Sequence, residues 1–432
     1  MESDNLAKVG SVDSRSTVSS NGTGFYKRLF WTALSRMKRG SLRILLSDGG
    51  QVHLGDPESG EPAEFHRALI QVRNPAFFKK LVLHGDLGLA ESYMDGDWDT
   101  DDIRSIICWF LLNLDEAPSV SGSKKDYFHL TMMNLGNRLL HIFRRNSLRG
   151  SKKNIVEHYD LGNEFYGKFL DPTMTYSCAT FLDPKDSLEE AQIAKIESLC
   201  KKLRLTPSDR VLEIGTGWAG FSTYAASRYG CNVVTYTISE EQFRYAKEKI
   251  RSTGLEDKIE VRLKDYRLVE GMYDKIVTVE MLEAVGHRYF EDFFSMCNRV
   301  LKKDGLMVHQ IITCPDSRYE SFRKGVDFIQ KHIFPGSLLP SIARINQAVN
   351  RTGNMFLHEM EDIGRNYDRT LLLWLHSFEK NLPAIRALGH DERFVRKWRY
   401  YFSYCAAAFY MRNISVVQVV YTRPNNLSLN LA

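Results

Sequence analysis

The sequence predicts an α/β fold in which a small α+β domain precedes a doubly wound, largely parallel sheet. Three observations lead to this prediction. Short apolar runs alternate with amphipathic segments from about residue 207 onwards, as in successive βαβ units. A glycine-rich turn follows the first of these runs, at the place where such sheets bind ligands. The length of 432 residues allows more than one domain.

Composition and charge argue against several classes of protein. The apolar fraction of 43% is typical of a globular chain, and no window approaches the ~20 apolar residues of a membrane span. A net charge of +5 gives no indication of a nucleic-acid partner. The seven cysteines are scattered, so we expect neither a disulfide framework nor a metal site. No secretory signal is recognisable, and the cytoplasm is the expected compartment.

The first 40 residues are expected to form a tail with an amphipathic helix. The stretch 25–40, FYKRLFWTALSRMKRG, mixes aromatic and basic side chains. Such a segment suits the surface of an anionic membrane, and a core-facing helix with one solvated side is the alternative. Residues 119–150 are expected to contain a linker and a second basic helix, with the same two interpretations.

Residues 41–118 are expected to form the small domain, which we associate with lipid. Three strand-like runs, SLRILLSDGG, QVHLG and AEFHRALIQV, are punctuated by Gly and Asp, residues that favour turns. Pro75 can then open a helix.

Residues 151–425 are expected to form the main domain. Helices are predicted between its strands, and one of them, RYFEDFFSMCNRVLKKDG, should end at Gly305. The stretch of about 314–412 is rich in aromatic residues and is predicted to be a helical insertion that binds the substrate. The predicted strands are RVLEIG, CNVVTYTIS, IEVRLKDY, KIVTVEM, LMVHQIIT and ISVVQVVYTRP.

The turn GTGWAG allows two kinds of ligand. Gly215, Gly217 and Gly220 have the spacing of a dinucleotide site, but that site needs an acid at the end of the second strand, where this chain has Thr237 and Ser239. The tryptophan in the turn would also crowd a pyrophosphate. A nucleoside sulfonium has no phosphates, and the acid in KDY after the third strand can hold an adenine amino group. The pattern therefore favours a methyltransferase over a nicotinamide-dependent dehydrogenase.

Six motifs in order resemble the cyclopropane-fatty-acyl-phospholipid synthase family, which includes the mycolic acid cyclopropane synthases. The resemblance runs from about residue 151 to residue 423, and NPAFFKKLVLHGDLGLAESYMDGDW extends it to the small domain. It implies the fold of a class I S-adenosylmethionine-dependent methyltransferase, a Rossmann-like doubly wound sheet. The motifs are EHYDLGNEFYGKFLDPTMTYSCATF, VLEIGTGWAGFSTYAA, VTYTISEEQ, EMLEAVGHRYFEDFF, IFPGSLLPS and YYFSYCAAAFYMRNISVVQVVYTR.

The resemblance implies a reaction. S-adenosylmethionine gives its methyl group to a cis double bond in the acyl chain of a membrane phospholipid, and the resulting cation loses a proton and closes to a cyclopropane. A bound bicarbonate ion is the implied proton acceptor, and Glu280 competes with Glu283 as the important acid near it. The implied bicarbonate cage is Cys178, Glu283, His309, Ile311 and Tyr367.

The resemblance also implies a site for S-adenosylmethionine. The turn departs from the common family form GCGWGG at Thr216 and Ala219. Both residues are small, so we expect binding to survive. The implied positions are Tyr176, Ser177, Gly215, Gly217, Thr237, Gln242, Asp265 and Tyr266.

Aromatic side chains in the insertion are candidates to surround the acyl cation, because aromatic faces stabilise positive charge. Most of them are expected to be ordinary core residues. The candidates are Phe328, Phe334, Trp374, Phe378, Tyr400, Tyr401, Phe402 and Phe409.

Other functions stay open from the sequence. Relatives on the same scaffold make methyl- or methylene-branched acyl chains, modify sphingolipids or methylate the nitrogen of a small amine. A lipid-binding protein without activity is a further alternative, which the intact glycines argue against. The resemblance also implies peripheral contact with the membrane and, by analogy, a homodimer.

Overall fold

The computed structural model describes residues 23–114 and 161–430. The predicted linker and basic helix at 119–150 lie outside the described residues, as does the chain before residue 23. Within the described ranges, no helix is long and apolar enough to cross a membrane.

The small domain is a four-stranded sheet covered by three helices. Strand β1 pairs antiparallel with β2 and parallel with β3, and β4 pairs antiparallel with β3. The strands are β1 (Ser41–Leu45), β2 (Gln51–Gly55), β3 (Ala68–Val72) and β4 (Trp98–Asp99), and the helices are α1 (Thr23–Leu34), α2 (Ala76–Met94) and α3 (Ile103–Leu112).

Helix α1 lies in the stretch predicted to be an amphipathic helix, and it packs on the small domain. Phe30 and Leu34 are 2% and 1% exposed, and the Phe30 ring lies 5.7 Å from that of Phe77 and 5.2 Å from that of Phe78. The core-facing interpretation therefore holds for one side of the helix. The other side leaves Phe25 and Leu29 exposed.

Strands β5 to β11 form a seven-stranded sheet in the order β10-β11-β9-β8-β5-β6-β7. Strands β5 to β9 pair in parallel, whereas β11 is antiparallel to both β9 and β10. The predicted doubly wound sheet is thus confirmed. The strands are β5 (Arg210–Ile214), β6 (Asn232–Thr237), β7 (Ile259–Leu263), β8 (Tyr273–Val279), β9 (Leu301–Thr313), β10 (Phe356–Asp362) and β11 (Ser415–Thr422).

Eleven α-helices among the described residues accompany this sheet. Helix α5 begins at a capping box between Ser187 and Glu190, a motif that satisfies two otherwise unpaired N–H groups. The helices are α4 (Gly162–Tyr166), α5 (Leu188–Leu203), α6 (Gly220–Tyr229), α7 (Glu240–Ser252), α8 (Phe290–Val300), α9 (Tyr319–Lys324), α10 (Phe328–His332), α11 (Ile342–Thr352), α12 (Arg365–Lys380), α13 (Leu382–Ala387) and α14 (Glu392–Tyr410).

Two predicted elements need correction. Helix α8 ends at Val300 and not at Gly305, because β9 already begins at Leu301. The predicted helical insertion at about 314–412 contains a strand, β10. Six of the seven residues of this edge strand are exposed, so it has no buried face and lacks the apolar alternation by which a strand is recognised.

The small domain is joined to the helices of the insertion by ion pairs. Arg104 of α3 makes two hydrogen bonds to Asp368 of α12, at 2.8 and 2.7 Å. Arg396 of α14 donates to Asp99 at 2.8 Å and to the carbonyl of Trp98 at 2.7 Å. Bidentate arginine contacts fix orientation as well as distance. The small domain therefore supports two of the helices that cover the site.

The order of strands places the site. Because β5 lies between β6 and β8, the sheet changes direction at β5, and a crevice opens beyond the carboxyl ends of β5 and β8. Ligands bind at such switch points. The turn at Gly215 follows β5, and Glu280 follows β8.

Candidate active site

One cavity of about 350 Å³ occupies the crevice. Gly217 has φ of +52°, and among the described residues other than its two chain neighbours no atom lies within 4 Å of the position that a Cβ would take. Gly215 has φ of +95°, and a Cβ there would lie 3.2 Å from Cγ of Met281. Glycine tolerates these left-handed conformations, and its missing side chain at 217 leaves space beside the backbone.

All eight predicted cofactor positions lie on the wall of this cavity. At the end of β6, the Thr237 hydroxyl donates to Oε1 of Gln242 at 2.9 Å. The Ser239 side chain caps α7 by accepting from the N–H of Gln242. These bonds orient Thr237 and Gln242 toward the cavity edge through local structure alone.

The acid at the end of β7 is already paired. Arg267 donates to both oxygens of the Asp265 carboxylate, at 2.8 and 2.7 Å. The Asp265 side chain also accepts the N–H of Arg267 at 3.0 Å. Because each carboxylate oxygen has two lone pairs, these contacts do not by themselves prevent Asp265 from accepting a further hydrogen bond. The assignment of Asp265 to adenine stays a prediction.

Two side chains of α5 hold Ser177 in place by hydrogen bonds. The ammonium of Lys195 donates to the Ser177 hydroxyl at 2.6 Å, and the Gln192 amide donates to the Ser177 carbonyl at 2.8 Å. Lys195 is 1% exposed, and burial lowers the pKa of this lysine to about 8. Sequence reasoning missed both residues of α5, because a lysine inside an amphipathic helix normally lies on its solvated side.

The two departures from the family turn have visible consequences. The hydroxyls of Thr216 and Thr235 are 2.8 Å apart in the buried core. Ala219 has φ of +61° at the start of α6, a conformation that costs an L-residue about 1–2 kcal/mol relative to its favoured regions. The Ala219 side chain lies more than 4 Å from the position that a Cβ of Gly217 would take.

The part of the cavity wall that the insertion contributes is mostly apolar, although it also includes Asp327 and Gln330. Of the eight aromatic candidates in the insertion, Phe334, Tyr401 and Phe409 line the cavity. The other five are 0–1% exposed and belong to the surrounding core, as expected for most of the set. Leu338 and Ile414 complete the apolar wall.

Glu280 contacts two of the five residues of the predicted bicarbonate cage, Cys178 and Tyr367. Its Oε1 accepts from the backbone N–H of Cys178 at 2.9 Å and from the Gln310 amide at 2.8 Å. Its Oε2 accepts from the Tyr367 hydroxyl at 2.7 Å. Two donors that the resemblance gives to bicarbonate are therefore bound to a carboxylate of the chain itself.

Glu283 lies on the cavity wall three residues later. Its Oε1 accepts the N–H of Ile312 at 2.5 Å, one residue after Ile311, which the resemblance assigns to the bicarbonate cage. Its Oε2 is buried and has no hydrogen-bond partner in the part of the chain that the structure describes. Burial, and then the charge of Glu280, raises the pKa of Glu283 to about 8, so this acid is largely neutral at pH 7.

The His309 ring lies away from the cavity. It packs against the rings of Phe293, Phe294 and Tyr421, at 5.8, 5.8 and 6.2 Å. Neither ring nitrogen has a partner among the described residues, and burial lowers the pKa of His309 to about 3. Successive residues of a strand face opposite sides. The Gln310 side chain therefore points to Cys178 and Glu280, whereas the imidazole points into the core.

The comparisons with known proteins agree with this geometry. Residues 146–419 match the family described as mycolic acid cyclopropane synthetase. The chain belongs to this family. It is 37% identical to the cyclopropane-fatty-acyl-phospholipid synthase of Escherichia coli K12, over 84% of this chain and 90% of that protein. It is 33% identical to the tuberculostearic acid methyltransferase of Mycobacterium tuberculosis, over 87% and 86% of the two chains.

Solved structures of cyclopropane synthases share the fold. The synthase MmaA2 from Mycobacterium tuberculosis superimposes with a TM-score of 0.59 and 30% identity over 63% of this chain and 98% of that chain. The mycolic acid synthase CmaA1, solved with S-adenosylhomocysteine, gives the same TM-score with 32% identity, over 63% and 98% of the two chains. This member of the family is thus an S-adenosylmethionine-dependent methyltransferase of class I fold, as predicted.

Proposed function

We propose that this enzyme methylates the cis double bond of an unsaturated acyl chain in a membrane phospholipid and closes the product to a cyclopropane. The observation that carries the proposal is the single cavity. Its wall holds all eight predicted cofactor positions, and the helical insertion adds mostly aromatic and aliphatic side chains to the same wall. A sulfonium nucleoside and a hydrocarbon chain can therefore meet in one cavity.

The residues of the cavity suit a cation on a hydrocarbon chain. S-adenosylmethionine supplies an electrophilic methyl group when it is bound. Phe334 and Phe409 exclude water from the apolar part of the cavity, and aromatic faces stabilise positive charge nearby. The Tyr176 hydroxyl donates to that of Tyr401 at 2.9 Å, which keeps both polar tips bonded to each other.

The described residues do not fit a bicarbonate ion in this arrangement. The donors of Cys178 and Tyr367 point at Glu280, and a second anion beside a buried carboxylate would be repelled. The His309 ring cannot reach the ion from the opposite face of β9. We derive no step through bicarbonate.

Formation of a branched acyl chain is the second candidate. The relative from Mycobacterium tuberculosis, a tuberculostearic acid methyltransferase, covers 87% of this chain. Both reactions begin with the same methyl transfer, so the same cavity serves either. Coclaurine N-methyltransferase is 21% identical with a TM-score of 0.60, a likeness that extends to the fold alone, so N-methylation has no comparable support. A homodimer stays a prediction.

Peripheral contact with the membrane is part of the proposal. The outer side of α1 exposes Phe25 and Leu29, at 59% and 41%, next to the exposed Arg28 and, just beyond the helix, Arg36. Exposed apolar residues beside cations are the pattern by which helices lie on anionic lipid.

The test uses the purified full-length chain with S-adenosylmethionine and phospholipid vesicles. Vesicles with monounsaturated chains should yield S-adenosylhomocysteine and acyl chains that are one CH₂ heavier and resist ozonolysis, whereas matched saturated vesicles should yield neither. Turnover on saturated vesicles would refute a reaction at the double bond. Heavier chains that ozone still cleaves would indicate a methylene branch and favour the second candidate.

A further inference from the structure

We infer that Glu280 is the catalytic base of this enzyme and takes the place that a bound anion would hold. The inference rests on the proposed function, because it assigns the group that removes the proton after methyl transfer. It differs from the prediction from the sequence, in which Glu283 belongs to a bicarbonate cage and Glu280 is only the competing acid.

The backbone holds Glu280 in an unusual conformation. Glu280 has φ of +50°, in the left-handed region that non-glycine residues seldom adopt. Its N–H donates to the carbonyl of Gln310 at 2.8 Å, which fixes the residue against β9 directly after β8. A backbone conformation of this kind persists only where the surrounding structure holds the residue in it, and such residues are concentrated at active sites. Here it turns the side chain into the cavity.

The hydrogen bonds leave one acceptor position open. A carboxylate has four lone-pair sites. The Cys178 N–H and the Gln310 amide fill both sites of Oε1, and the Tyr367 hydroxyl fills one site of Oε2. Because Glu280 lines the cavity, the remaining site on Oε2 is the one at which it can accept a proton.

The groups around Glu280 shift its pKa in opposite directions. Burial raises its pKa, whereas the three hydrogen-bond donors and the Lys195 ammonium lower it, with a net upward direction. Glu283, the other carboxyl beside it, carries the raised pKa of a mainly neutral acid.

The proton-transfer step balances as follows. Methyl transfer leaves the positive charge on the alkene carbon next to the one that received the methyl group. Oε2 of Glu280 removes one proton from that methyl group, and the electron pair of the broken C–H bond forms the third C–C bond of the ring. Glu280 becomes a neutral acid, which loses its proton to water before the next turnover.

Two substitutions test the assignment. Glu280→Gly removes the carboxylate, suits the left-handed backbone and frees the three donors for an added anion. Glu280→Gln keeps the shape but cannot accept the proton, so it is the matched control. Turnover on monounsaturated vesicles is measured in bicarbonate-free buffer and with added bicarbonate. Calorimetry with S-adenosylhomocysteine shows whether each variant keeps its cofactor site.

We expect the unmodified enzyme to turn over equally with and without bicarbonate. Both variants should lose activity by ~100-fold or more, the scale of a positioned base, and bicarbonate should restore at least about tenfold only to Glu280→Gly. A bicarbonate requirement in the unmodified enzyme, or a Glu280→Gln enzyme within a few fold of it, would overturn the assignment. If bicarbonate does not restore activity to a Glu280→Gly enzyme that still binds cofactor, the Glu280 carboxylate does not take the place of a bound anion. Lack of any lipid product from the unmodified enzyme would instead refute the proposed function.

Discussion

Replacing Gly217 by alanine should separate the cost of backbone strain from the loss of cofactor binding. Gly217 has φ of +52° with open space where a Cβ would lie. The left-handed conformation costs alanine about 1–2 kcal/mol, and the entropy of glycine offsets ~0.5–1 kcal/mol of this. If the cofactor fills the open space, the added methyl overpacks it by about 1–3 kcal/mol, roughly a 5- to 150-fold rise in Kd.

Gly254 provides a matched control. It has φ of +67°, and no described atom outside its two chain neighbours lies within 4 Å of its Cβ position, but it is exposed to solvent after α7. We expect Gly217→Ala and Gly254→Ala to lower Tm by a similar few degrees, and only Gly217→Ala to weaken binding of S-adenosylhomocysteine in calorimetry. Unchanged affinity in Gly217→Ala would refute the reasoning that the space beside this turn belongs to the cofactor.

Three further predictions concern the acids and the membrane. Tyr367→Phe removes a donor that lowers the pKa of Glu280, so the acid limb of the kcat–pH profile should move to higher pH and turnover at pH 7 should fall by about 10-fold or more, as for a lost hydrogen bond to a charged group. Glu283 has a pKa of about 8 in the folded chain and 4.5 as its ordinary value, so its favourable contribution is complete below pH 4.5 and is lost as the pH rises to about 8. Glu283→Gln should therefore reduce the fall in unfolding free energy between pH 5.5 and pH 8 by roughly 2–4 kcal/mol, measured by denaturant titration. Phe25→Glu combined with Leu29→Glu should lower sedimentation with anionic vesicles by about tenfold.

Each of these has its own control. Tyr421→Phe removes a hydroxyl bonded to Asn346 at 2.8 Å in the core and should leave the pH profile unmoved, and an equal shift in both variants would contradict the role of Tyr367. Equal pH dependence of stability before and after Glu283→Gln would mean that Glu283 is ionised in the fold. Leu182 is 80% exposed elsewhere on the surface, and if Leu182→Glu reduced vesicle binding as much, α1 would not be the contact.

Repeating patterns made the central sheet predictable from the sequence. Buried parallel strands such as β5 and β8 read as apolar runs, and each predicted strand of this sheet is present. The edge strand β10 could not be foreseen, since its residues face solvent. The predicted helix end at Gly305 was wrong, because strand β9 begins at Leu301. There, pairing with Tyr273 of β8 overrides the helical preference of the local sequence.

Residues of the candidate site could be proposed from the sequence, whereas their contacts could not. The eight cofactor positions converge on one cavity as the resemblance implied. The direction of His309 depends on which face of β9 meets the crevice, and that follows only from the pairing of β9 with β8 and β11. Glu280 stands at a strand end in the sequence, but its contact with Cys178 joins positions 102 residues apart. The pattern of neighbouring residues in the sequence does not predict such a contact.

The most direct test of the central claim uses S-adenosylmethionine with a trideuterated methyl group, monounsaturated phospholipid vesicles and mass spectrometry of the acyl chains. If a base removes a proton from the transferred methyl group, the new carbon should carry two deuterium atoms. A new carbon with all three deuterium atoms, or label found only outside the acyl chains, would contradict the account.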